Sequence, residues 1–138
     1  MKTDLYHKVI HVPIYELDVD LIFTKDIDLA ERHIDEQFPG IGYAPAMDQR
    51  GASLLIKSPE APAQVLVVIN VAGERNDFDV NNDMIIQATH VAWILSDLLG
   101  HDPTMDNHTG HSHIIKYMIN RMKDVWSEAV TETDIEDL

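Results

Sequence analysis

Apolar and polar positions along the chain alternate between a period of two and a period near 3.6, and the changes of period mark out the elements. Lys8 to Thr24 (KVIHVPIYELDVDLIFT) is rich in β-branched and aromatic residues, with Val12/Ile14 and Val19/Leu21/Phe23 alternating against polar neighbours. This predicts two strands, or one long bent strand, broken near Glu16 to Asp18. Pro13 has no amide donor, which places its stretch at a sheet edge or a bulge. Asp26 or Asp28 then caps a helix to about Gln37, with Ile27, Ala30, Ile34 and Phe38 along one side, and Pro39-Gly40 stops it. Gly40 to Gly51 reads as a loop with at most a short strand at Tyr43 to Met47. Ala52 to Lys57 and Gln64 to Val71 read as a strand pair joined by the turn SPEAPA, the second strand apolar enough for the centre of a sheet.

The second half of the chain predicts two longer helices. Asn82 or Asp83 caps Met84 to Leu99, whose Ile85, Ala88, Ala92, Leu95 and Leu99 share a face, and Gly100 ends it. A His-rich loop, His101 to His113, leads to a helix from Ile114 to Trp126 with Ile115, Met118, Ile119, Met122 and Trp126 turned inward. Ser127 to Leu138 carries acids and no base and reads as a mobile acidic tail. The fold class is therefore α+β: a small mixed or antiparallel sheet of about four strands packed against three helices, one domain over residues 1–126 with a tail over 127–138. The methionines Met84, Met105, Met118 and Met122 and the tryptophans Trp93 and Trp126 read as core packing.

Charge narrows the partners. With 24 acidic against 10 basic residues the formal charge is −14, so attraction to nucleic acid phosphates or anionic lipid is disfavoured and a basic protein surface is favoured. The absence of cysteine excludes disulfides, thiolate nucleophiles and Cys-ligated metal, leaving His and carboxylates as ligands. No apolar run has the length of a membrane span or signal core, and the expectation is a cytoplasmic protein. No nucleophile elbow, phosphate-binding Gly-rich loop or dinucleotide fingerprint is present.

His90, His101, His108, His111 and His113 fall close together in sequence, a density that invites a metal site. In zinc hydrolases the His-Glu-x-x-His helix sets two imidazoles one turn apart and a Glu beside them to take a proton from metal-bound water. Here the corresponding run is Ile86-Gln87-Ala88-Thr89-His90. The order of elements nevertheless resembles the minimal zincin-like peptidases encoded by bacteriophages. The likeness is carried by Val12-Pro13-Ile14-Tyr15, by His90-Val91-Ala92-Trp93-Ile94-Leu95 with Gly100 following, and by Tyr117-Met118-Ile119, and it covers about residues 8 to 125. That resemblance implies an α+β peptidase scaffold, and it places the family's first ligand at Ile86, its base at Gln87 and its third ligand near Gly110 or His111. A hydrocarbon binds no cation, and a carboxamide accepts no proton near neutral pH. The resemblance therefore implies a degenerate, non-catalytic member acting as a phage-type interaction protein for a host or viral partner.

Two other functions stay open at this stage. His90, His111 and His113 could be rearranged ligands for zinc in a metal-dependent hydrolase. Alternatively, the polar loop and a homo-oligomer interface could enclose a small, nucleotide-like ligand. The plainer reading of the histidines is a solvated loop, with His90 a hydrogen-bonded core or rim residue.

Overall fold

A computed structural model describes residues 5–12, 17–38, 51–58, 61–71, 77–98 and 108–132. The first alternating stretch forms two strands, β1 (Leu5–Val12) and β2 (Leu17–Thr24), paired antiparallel with Leu5 opposite Thr24 and Val12 opposite Leu17. Helix α1 (Ile27–Gln37) follows. Strands β3 (Gly51–Ser58) and β4 (Ala61–Asn70) pair antiparallel, with a register shift between Ile56 and Ser58. β2 and β4 run parallel, Asp18 opposite Gln64 and Thr24 opposite Asn70, which gives a mixed four-stranded sheet of order β1-β2-β4-β3. A parallel pair needs a long crossover, and α1 with β3 supplies it. β1 is an edge strand, where the proline argument placed that stretch; Pro13 itself, and the stretch Tyr43 to Met47, lie outside the described residues.

The two central strands, β2 and β4, are buried on both faces. Val65, Val67 and Ile69 of β4 join Val19, Leu21 and Phe23 of β2 in the larger core, while Leu66 and Val68 join Ile22, Ala30 and Ile34 in a smaller one beneath α1. A central strand with apolar residues on both sides reads as a continuous apolar run, which is why QVLVVINV shows no alternation. At the start of α1, Asp26 is the cap: one carboxylate oxygen accepts from the amides of Asp28 (3.0 Å) and Leu29 (3.2 Å). The Thr24 hydroxyl accepts from the Asp26 amide and donates to its carbonyl, fixing the turn from β2 into the helix.

The larger core is closed by helices α2 (Asp77–Leu98) and α3 (His108–Glu132), packed on each other, with α2 over β3 and β4 and α3 over β1 and β2. Both begin earlier than the sequence pattern predicts. α2 gains a first part in which Val80 continues the buried row of Met84, Ala88, Val91, Ala92 and Leu95. This rotates the expected inward face, and Ile85 is 44% exposed. Trp93 is 48% exposed, so it is not a core residue, whereas Met84, Met118 and Met122 are. α3 takes His108, His111 and His113 into helix and runs on to Glu132. The buried row Ile114, Met118, Met122, Val125 and Ala129 keeps a helical spacing across Ser127. Residues 127–132 therefore belong to the helix and not to a tail. Trp126 lies partly buried against Phe23, ring centroids 4.9 Å apart, and Glu128 meets Lys8 (3.5 Å) and the Tyr6 hydroxyl (3.4 Å) on β1.

Candidate functional site

Helix α2 carries Ile86, Gln87 and His90, the run set against the zinc-hydrolase motif above. Each residue advances about 100° around a helix, so positions four apart nearly eclipse and adjacent positions diverge. Ile86 is 49% exposed and His90 is exposed one turn on, while Gln87 is 5% exposed and turned into the protein. Around the helix Gln87 stands about 100° from Ile86 and about 60° from His90, where the base of the motif would stand, and it is a buried carboxamide. His113 is exposed on α3; His111 lies in the α3 backbone, with its side chain outside the description. Among the described residues, no three His, Cys, Asp or Glu side chains converge to hold a metal ion.

The outer side of α2 has a different character. Asn82, Ile85, Ile86, Thr89 and Trp93 fall within one sector of the helix over three turns, and Thr89 turns its hydroxyl back to donate to the Ile85 carbonyl (2.8 Å). Large apolar side chains are thereby presented on one surface. The helix sequence contains four aspartates and no lysine or arginine. On α3, a shallow depression of about 250 Å³ is lined by Ile115, Lys116, Ile119 and Asn120. It falls below the roughly 300–1,000 Å³ of small-molecule pockets and carries no argument for a sequestered ligand.

A cluster of described polar side chains lies on the opposite face of the sheet, and the sequence pattern did not single it out. His7 of β1, Asp20 of β2 and His33 of α1 form a chain of hydrogen bonds. His7 Nε2 is 2.9 Å from Asp20 Oδ1, and His7 Nδ1 is 2.8 Å from His33 Nε2, with the rings edge to face. Asp20 is only 3% exposed, and its Oδ2 is buried with no hydrogen-bond partner among the described residues. Burial pushes the pKa of His33 below the ordinary histidine value, the charge of His7 pushes it the same way, and Glu36 opposes both. Two nitrogens on one tetrahedral zinc lie about 3.3 Å apart, given Zn–N distances of about 2.0–2.1 Å. The 2.8 Å separation is thus a hydrogen bond and not a chelate. A second pair lies further along the same strands: His11 Nδ1 is 2.8 Å from Asp18 Oδ1, both side chains well exposed. An available signal was Asp20 itself, a charge at a position of β2 flanked by apolar residues. Its partners, 13 residues and more away, are set by the β1–β2 pairing and the docking of α1.

No family model, curated protein or solved structure matches the chain. Among the described residues no helix is long and apolar enough to cross a membrane.

Proposed function

We propose that this chain is a non-catalytic interaction protein, a peptidase-like scaffold without peptidase chemistry, and that it binds a basic protein partner through the outer side of α2. The observation that carries this reading is the exposure of Ile85, Ile86 and Trp93 along one side of a helix that has no lysine or arginine. Apolar anchors of this size supply most of the affinity at protein interfaces, and aromatic residues are enriched there. A surface of net charge −14 repels its own copies and anionic polymers and steers a partner whose own apolar anchors are rimmed by lysine and arginine. The ligand and base positions contribute in another way. On this reading Ile86, in place of a metal ligand, adds to the apolar surface, and Gln87, in place of the base, is buried.

The test is affinity capture from source cells with the wild-type chain, with an Ile86→Asp, Trp93→Ala variant, and with an Asn120→Asp variant of α3 as control. The expected result is one stoichiometric basic protein held by the wild type and the control and lost by the α2 variant. The purified partner should then rebind the wild type at physiological ionic strength. Retention of the same partner by the α2 variant would refute the assignment of the surface.

A further inference from the structure

His7, Asp20 and His33 come from three different elements, and their proton inventory is limited by geometry. With both imidazoles neutral, His7 donates Nε2–H to Asp20 and accepts at Nδ1 from Nε2–H of His33, so both hydrogen bonds are made. One added proton leaves both bonds in place. If His7 takes it, its Nδ1–H donates to a His33 that carries its proton on Nδ1. If His33 takes it, Nε2–H still donates to His7. A second proton cannot be accommodated, because His7 Nδ1–H would then face His33 Nε2–H across 2.8 Å, donor against donor and cation against cation.

We propose that this chain of side chains is a proton-operated latch. It fastens α1 to the β1–β2 pair while the two imidazoles share at most one charge, and it releases the helix when both are charged. α1 is the element that would move. It has 11 residues, short enough to be marginal as an isolated helix, and it is seated on the smaller core, in which Ile22, Ala30, Ile34, Leu66 and Val68 are the buried members. The rest of the fold is held by the larger core on the far face of the sheet. Within the latch His7 comes from β1 and Asp20 from β2; Glu36 of α1 itself acts on His33, and β4 offers Leu66 and Val68 to the core beneath the helix. At His33 burial and the charge of His7 resist protonation, and Glu36 opposes them. Opening therefore belongs to mildly acidic solution.

Amide hydrogen exchange on the full chain, read by mass spectrometry as protection factors at about pH 7.5 and about pH 5, tests this. In the wild type, protection of residues 27–37 should fall on the order of tenfold at the lower pH while that of β4 stays unchanged. His33→Gln keeps an N–H donor toward His7 but takes no proton, so its α1 should stay protected at both values. His7→Gln, which can donate to Asp20 and accept from His33, should behave likewise and serves if the first variant does not fold. Protection of α1 that is indifferent to pH in the wild type would overturn the proposal. So would β4 opening in step with α1, or a glutamine variant that loses protection as the wild type does.

Discussion

Two neighbouring positions on α2, Met84 and Ile86, lie about 200° apart around the helix and should respond very differently to truncation. Met84 is fully buried in the larger core, so Met84→Ala removes three heavy atoms from a packed site and leaves a cavity, an expected loss of about 2–5 kcal/mol. Ile86→Ala removes as many atoms, worth about 2.4 kcal/mol at full burial at about 0.8 kcal/mol for each carbon. With Ile86 at 49% exposure, roughly half of that is at stake and no closed cavity forms. Alanine's better helix propensity returns a few tenths of a kcal/mol, for a net loss of about 1 kcal/mol or less. Urea unfolding of both variants, with the wild-type m-value retained, reads the two losses directly. A cost for Ile86→Ala as large as that for Met84→Ala would mean that the outer side of α2 is covered in the folded chain, and the proposed binding surface would be lost with it.

Four further outcomes follow from the same geometry. Ala129→Asp should destabilise the chain by about 3 kcal/mol or more, since it puts an unpaired charge at a fully buried position; a thermal melt matching the wild type would return residues 127–132 to a tail. Asp26→Ala should cost about 0.5–2 kcal/mol by removing the cap of α1, measured by urea midpoint. Asp20→Ala should cost about 1–3 kcal/mol in the same assay, because it leaves the His7 Nε2–H unpaired in a part-buried site. The lowered pKa of His33 fixes the sign of the pH dependence. Below the unfolded value of about 6.5 the unfolded chain binds the extra proton first, so stability is full above that value, falls with acidification, and levels off once the folded state also protonates. A pH series of urea midpoints that rises from neutral toward acid would contradict it.

Element types and their order were legible because each obeys a local rule: alternation in β2, a capped 3.6 period in α1, an unbroken apolar run in β4. A sheet of about four strands against three helices follows from that order, while its mixed rather than antiparallel character is decided by the parallel β2–β4 pairing. The rotation of α2 was not legible, because Ile85 and Met84 are both apolar and only the packing against β3 and β4 decides between them. Trp93 misled for a related reason: a large aromatic residue counts as core in any pattern, yet it is 48% exposed on the outer side of α2. The end of α3 was obscured by polar residues, since Ser127, Glu128 and Thr131 interrupt the apolar reading while Val125 and Ala129 keep the buried row intact. The His7–Asp20–His33 chain depends on strand register and helix docking, which no local pattern encodes, whereas the dense histidines near His111 drew attention by number alone.

The absence of hydrolytic chemistry is the claim on which the proposed function stands, and metal content with peptide hydrolysis of the full chain, purified without chelator, tests it most directly. The expectation is less than about a tenth of an equivalent of zinc and no peptide cleavage above the rate of a His90→Ala variant. Stoichiometric zinc, with cleavage abolished by His90→Ala, would contradict it.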